Sequence, residues 1–213
     1  MARYLGSRTK LSKRVGRNLF LKGVRNYSAK DDYSKRPQKP GVHGGKRGGK
    51  QSSLSEYGKQ LLEKQILKYT YGLMEKQLSN IFKKSFKIKG DTGKIALGLL
   101  ERRLDNVLYR AGMSNSRSQA RQIVNHGHLL VNGVPTNIPS FVVKVGDIIT
   151  VKESKLKGKF WTDFVLQVPN VVPTWLDTTK KHFIKVISLP LEEDLPQDIK
   201  TATIVEFYSR KVA

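Results

Sequence analysis

The stretch Ser116-Arg-Ser-Gln-Ala-Arg-Gln-Ile-Val-Asn-His-Gly-His-Leu-Leu-Val-Asn-Gly133 decides the fold. Ser116 followed three residues later by Gln119 is a capping-box pattern that opens a helix. Ala120, Ile123 and Val124 recur at helical spacing on one face, and Gly127 ends the run, predicting a short helix over 117–126. The period then changes from helix to strand. His128-Leu-Leu-Val131 runs into Asn132-Gly133, the strongest short hairpin signal, and Val134 to Ile138 continues it. Upstream, Leu97, Leu100, Leu104, Val107, Leu108 and Ala111 form one apolar stripe, which predicts a single helix over about 94–111 with Gly112 at its C-cap. Downstream, Phe141-Val-Val143 and Ile148–Val151 read as two short strands around the turn at Val145-Gly-Asp147. Two helices followed by a short antiparallel sheet make a small α+β module with its core over 94–152.

Composition limits what such a module serves. The chain has 213 residues, with 40 Lys and Arg against 17 Asp and Glu, a net charge of +23. With no cysteine, disulfides, thiolate zinc sites, iron–sulfur ligation and a cysteine nucleophile are excluded. No stretch approaches 18 consecutive apolar residues, and Met1-Ala-Arg-Tyr-Leu-Gly-Ser-Arg-Thr-Lys-Leu-Ser-Lys-Arg14 lacks the apolar run of a secretory signal, so a soluble intracellular protein is expected. A charge of this size repels itself until something outside the chain offsets it. Polyanion fits, because cations that neutralise phosphates release condensed counterions. An anionic membrane would need an amphipathic helix with a broad Trp/Phe/Leu face, and none is evident.

More than half of the excess sits in the first quarter, where 15 basic residues face 2 acidic ones over 1–50. Within it, Lys35 to Ser53 is interrupted by Pro37, Pro40, Gly41, Gly44, Gly45, Gly48 and Gly49, so it favours neither helix nor strand. The alternatives are a plain flexible linker or a glycine-rich arm that brings backbone close to phosphate, with His43, Lys46, Arg47 and Lys50 supplying contacts. Residues 55–88 return to helical spacing through Leu61, Leu62, Ile66, Tyr69, Leu73, Leu78, Ile81 and Phe82, with Ser55 as N-cap and Gly72 dividing the run into two helices. Lysines such as Lys64 populate its polar faces. Gly90-Asp-Thr-Gly-Lys94 is a loop, and its spacing is not that of a nucleotide phosphate loop.

In the module, the start of the 117–126 helix offers unpaired amides and partial positive charge, which suit phosphate. Arg117 lies in its first turn and Arg121 one turn on, spaced to hold two points on a nucleic-acid backbone. Both are expected to be exposed, so that replacing the pair by alanine would weaken RNA binding and leave the module folded. Gln119, Gln122, Asn125, His126 and His128 can bond phosphate, 2′-hydroxyl or base edges, and Arg102, Arg103 and Asn106 lie off the apolar stripe of the preceding helix. The plainer alternative is a helix with ordinary surface arginines. His126 and His128 have only His43 and His182 as further imidazoles, which argues against a metal site. Asp105 lacks a second carboxylate or base for catalysis and is expected to pair with Arg102 or Arg103.

Arg102-Arg-Leu-Asp-Asn-Val107, Ser116–Val124, His126-Gly-His128 and Val131-Asn-Gly133 resemble a widespread small RNA-binding domain. Met1-Ala-Arg-Tyr-Leu-Gly6, Gly41-Val-His-Gly44, Leu54-Ser-Glu-Tyr-Gly58, Glu63-Lys-Gln65, Tyr71-Gly72, Pro173-Thr-Trp-Leu176 and Ile204-Val-Glu-Phe-Tyr-Ser-Arg210 resemble, in order and end to end, the bacterial form of the universal ribosomal small-subunit protein four family. The resemblance implies a basic arm over 1–50 and a mainly helical domain over 51–91 completed by 171–213, with the RNA-binding module inserted over 92–170. It implies a primary binder of small-subunit ribosomal RNA, without catalysis, cofactor, membrane or homo-oligomer, that nucleates assembly of the subunit body. It also implies small-subunit protein five as neighbour, with an effect on translational accuracy, and in some members contact with messenger RNA and repression of their own operon. With the charge pattern it adds Arg3, Arg8, Lys10, Arg14, Arg36 and Tyr57 to the expected RNA contacts.

Many family members bind zinc through cysteines near 25–40. Here Arg25–Arg36 has neither cysteine nor histidine, so a zinc-free form is expected, shaped by RNA and by packing of Tyr27 and Tyr33. Residues 152–170 look variable against the family, and Phe160, Trp161, Phe164 and Val165 suggest an extra strand pair. Two other classes fit the module alone: an RNA-modifying enzyme such as a pseudouridine synthase, and a standalone RNA-binding factor. The enzyme is disfavoured because neither flank has the look of a catalytic α/β domain with a placed acid or base.

Overall fold

A computed structural model of the chain describes residues 4–41, 54–169 and 171–212. They fall into two compact units, one of residues up to Ala96 together with those from Gln197, the other Leu97–Pro196. Together they make an α+β protein.

The first unit is helical. Its elements are α1 (Arg8–Val15), a 3₁₀ turn (Gly23–Tyr27), α2 (Asp32–Lys35), α3 (Glu56–Thr70), α4 (Glu75–Ser85), the first turns of α5 (Thr92–Glu101), and α10 (Thr201–Val212), the tenth helix in chain order. Ser55 caps α3 by accepting from the Gly58 amide at 3.2 Å. Gly72 adopts φ +63 in the turn between α3 and α4, a conformation glycine reaches at little cost. α10 packs on α3 and α4. Phe82 stacks on Tyr208 at 4.7 Å, and Lys64, buried on α3, bonds Glu75 at the start of α4 at 2.9 Å. The Tyr208 hydroxyl donates to the same carboxylate at 3.0 Å. Burial alone would raise the Glu75 carboxyl, but Lys64, the Tyr208 hydroxyl and Lys68 outweigh it and hold the group below its ordinary value. One carboxylate thus ties three helices.

The second unit is built on the hairpin and helices read from the quoted stretch. α7 (Arg117–Asn125) begins at Ser116, whose hydroxyl accepts from the Gln119 amide at 3.2 Å. Its inward face buries Ala120, Ile123 and Val124 against α6 (Leu104–Arg110) and the sheet. β1 (Leu129–Val131) and β2 (Val134–Thr136) pair through Asn132 at φ 51 and Gly133 at φ +79, both left-handed as a two-residue hairpin turn requires. β3 (Ile148–Val151), β4 (Leu176–Asp177) and β5 (Phe183–Val186) complete an antiparallel sheet in the order β2-β1-β3-β5-β4. Leu104, Val107, Leu108, Leu129, Ile149, Trp175 and Ile184 share its core.

Five expectations differ from this structure. The loop expected over 90–94 is helical from Thr92, where α5 begins. The helix predicted over 94–111 is two helices, α5 and α6, broken at Arg102-Arg103. There the backbone turns extended and pairs with 141–143: Val143 donates to the Arg102 carbonyl at 2.9 Å and Leu104 to that of Phe141 at 2.8 Å. The strand expected at Phe141–Val143 is therefore a single bridge to Arg103. Residues 171–196 belong with the module, because β5 pairs with β3 and extends its sheet, and only the part from Gln197 joins the helical unit. The pair of strands expected within 152–170 is two short helical turns, α8 (Glu153–Leu156) and α9 (Lys159–Thr162), which turn Trp161 into the core.

Leu104 has no exposed surface. Leu104→Ala is expected to destabilise the module by about 2–5 kcal/mol, read from its urea unfolding midpoint.

Candidate nucleic-acid interface

In the helical unit the cations converge around α1 and α2. A cleft of about 800 Å³ is lined by Lys10, Lys13, Lys22, Lys35, Arg36 and Lys39, with Asp32 as its one carboxylate among the described residues. A neighbouring hollow of about 380 Å³ shares Lys10 and Lys39 and adds Arg14. Two carboxylates hold this segment. Asp31, buried, accepts from Asn18 at 3.0 Å, Asn26 and the Ser34 hydroxyl at 2.8 Å, and the Ser34 amide at 3.1 Å. Burial raises its carboxyl, yet these bonds prevail and leave it below the ordinary Asp value. Asp32 bonds Lys22 at 3.1 Å and Arg25 at 2.9 Å and is likewise lowered, chiefly by Lys22. The segment expected to be shaped by RNA and two tyrosines is thus organised by aspartates. Tyr27 stacks on Phe20 at 5.1 Å outside that hub.

In the module, α6 and α7 carry a polar network. Arg103 holds Asp105 through two bonds, of 3.1 and 2.8 Å, and Arg121 lies 3.8 Å from the same carboxylate. Glu101, fully buried, accepts from Asn106 at 2.7 Å and from both ends of Arg110 at 2.9 and 3.0 Å. Arg117 donates to the Asn106 amide oxygen at 2.8 Å, and its guanidinium lies 4.6 Å from the Tyr109 ring centre. Arg103, Arg110 and Arg121 thus contact two carboxylates, and Arg117 joins the network through Asn106.

Several expected contacts stand elsewhere than the sequence suggested. Arg121, expected to be exposed, is 7% exposed; Arg103, Asn106 and Lys64 are also buried, each engaged by a carboxylate or its neighbours. Arg102 is half-buried and donates to the Val143 carbonyl at 2.9 Å, and the Gln119 side chain accepts from the Asn115 amide at 2.7 Å. Lys10, Arg14 and Arg36 are exposed around the N-terminal clefts, with Arg8 half-buried on α1. Tyr57, exposed on α3, lies 5.8 Å from Phe207. Gln122, Asn125 and His126 face solvent on α7. Arg3, His43, Lys46, Arg47 and Lys50 lie outside the described residues. Lys13, Lys22, Lys35 and Lys39 were missed as members of the cleft, although the charge density of 1–50 pointed to their segment.

His128 is half-buried. Its Nδ1 accepts from the Trp161 indole N–H at 2.9 Å, which leaves Nε2 to carry the proton. Burial, then the positive charges of Lys155, His126 and Lys152, lowers its pKa and keeps the ring neutral.

Two family descriptions match: the ribosomal protein S4/S9 N-terminal domain over residues 3–101 and the S4 domain over residues 102–149. The chain is 46% identical over 212 residues to small ribosomal subunit protein uS4 of Caldicellulosiruptor saccharolyticus, covering 99% of this chain and 100% of that protein. It is 45% identical to the Halothermothrix orenii protein and 43% to that of Thermodesulfovibrio yellowstonii, over the same shares. The chain belongs to the uS4 family. That family is one of structural, non-enzymatic proteins of the small ribosomal subunit, with an RNA-binding S4 domain. The S4 match begins where α5 gives way to the extended Arg102-Arg103, so the network just described is the opening of that domain.

Because Arg121 is buried against Asp105, replacing Arg117 and Arg121 together mixes binding with folding. Arg121→Ala is expected to cost about 1–3 kcal/mol of module stability. Arg117→Ala is expected to lower RNA affinity with a smaller loss of stability; urea unfolding and RNA titration of each single variant separate the two. His128 gives a pH signature. Its depressed pKa contributes stability that is complete above the ordinary histidine value of 6.5 and is lost as pH falls below it. Between pH 7.5 and 5.5 the melting temperature is expected to fall further in the wild type than in His128→Gln.

Proposed function

We propose that this chain, a structural constituent of the small ribosomal subunit that binds its ribosomal RNA, grips that RNA with two separately folded faces: the cationic cleft around α1 and α2, and the first turn of α7 with Arg117. The cleft carries this reading. Six Lys and Arg line one concave surface against a single aspartate, an arrangement that costs repulsion unless phosphates enter it. Gly41, which lines it, has no side chain to hold a phosphate chain away from the backbone. Arg117 adds a guanidinium in the first turn of α7, the helix that Ser116 opens.

Beyond RNA binding, the family resemblance supports early binding that helps nucleate the subunit body. It also supports small-subunit protein five as neighbour, with a joint influence on decoding accuracy, and contact with messenger RNA at its entry path.

The test is the salt dependence of binding to transcribed small-subunit RNA. With about 8 phosphates neutralised, log K is expected to fall against log salt with a slope near −6 to −7, and a slope shallower than about −2 would overturn the reading. Replacing Lys10, Arg36 and Lys39 by alanine is expected to reduce the slope by about 3.

A further inference from the structure

Beyond the matched S4 domain, which ends at residue 149, α8 and α9 carry a feature that neither grip uses. Phe160 is 37% exposed although it sits in the sequence Lys157-Gly-Lys-Phe-Trp161. Its ring is braced from beneath. Trp161, 2% exposed, meets it edge-on at 5.1 Å, and Phe164 lies against it at 5.6 Å. Trp161 is itself fixed by its bond to His128 and by the edge of His182 at 5.2 Å. His128 meets Phe160 edge-on at 6.3 Å, with the exposed ring of His126 6.3 Å beyond. The segment around it in sequence is cationic. Lys155, Lys157 and Lys159 are exposed on the two turns, and the Lys152 ammonium lies beside Gly127, between the two histidines in sequence. Against these four stand Glu153 and Asp163, and Asp163 accepts from Thr162 at 3.0 Å.

A braced aromatic face on a segment rich in exposed lysines suits an unpaired nucleotide: the base stacks on the ring and the flanking phosphates meet lysines. We propose that Phe160, braced by Trp161 and Phe164 and flanked in sequence by the exposed Lys155, Lys157 and Lys159, is a stacking subsite for an unpaired base of the bound RNA. The proposal rests on the RNA-binding function above and adds to it a site that reads single-stranded structure.

The test measures affinity of the full chain for transcribed small-subunit RNA at two salt concentrations. Phe160→Ala is expected to weaken binding roughly 5- to 100-fold, by the same factor at both, because stacking releases no counterions. Phe160→Tyr is expected to restore it. Lys155→Gln with Lys159→Gln is expected to flatten the salt slope by about 2. Wild-type affinity in Phe160→Ala overturns the proposal, as does an unchanged slope in the lysine pair. Normal RNA affinity combined with reduced uptake of another subunit protein also overturns it, assigning the ring to a protein neighbour. If Phe160→Ala disturbs the near-ultraviolet signal of Trp161, the lysine pair decides alone. Failure of the wild-type chain to bind would instead overturn the RNA-binding reading itself.

Discussion

Seventeen carboxylates cannot neutralise forty cations, and the structure depends on where those few anions are placed. Asp31 and Asp32 organise the N-terminal segment, Glu75 ties α3, α4 and α10, and Glu101 and Asp105 hold the guanidiniums of α6 and α7. All but Asp105 accept two or more bonds from side chains distant in sequence or on another element, and Asp105 takes two bonds from Arg103 with Arg121 of α7 3.8 Å away. An anion used in this way orders several cations at once, and the remaining cations are left to face outward. Both units thus rest on internal ion pairs and present a surplus of positive charge to a polyanion.

The same placement bears on how the chain is stabilised. Removing one member of a buried pair strands the other, whereas a solvated surface pair contributes little. Lys64 and Arg121 belong to the first kind, so their substitution acts on folding before it acts on binding. Lys10, Arg14 and Arg36 are exposed. Membership of the uS4 family identifies the polyanion, and the geometry separates the cations that hold the protein together from those that can hold RNA.

Much of the module was legible before any coordinates. Ser116 and Gly127 delimit α7 because capping is a local hydrogen-bond requirement, and Asn132-Gly133 closes the hairpin because the left-handed conformation is local too. The break at Arg102-Arg103 was illegible. Neither residue disfavours helix, and the extended backbone exists there only because Phe141 and Val143, some forty residues away, supply its partners. The turns of α8 and α9 were misread for a similar reason: Phe160, Trp161, Phe164 and Val165 have strand propensity, which gives way when burying Trp161 against His128 demands a helical turn.

What the sequence by itself determined is therefore whatever rests on local or summed quantities: the excess of charge and its polyanionic partner, the caps and turns, the apolar faces, and the motifs that mark the family. What only the tertiary structure decided is which charges are used internally. Arg117 and Arg121 are equivalent by periodicity, one turn apart on the same helix, yet one lies half-buried over Tyr109 and the other is buried against Asp105. The difference arises because Asp105 reaches α7 from another helix, and no spacing along the chain encodes the distance between two helices.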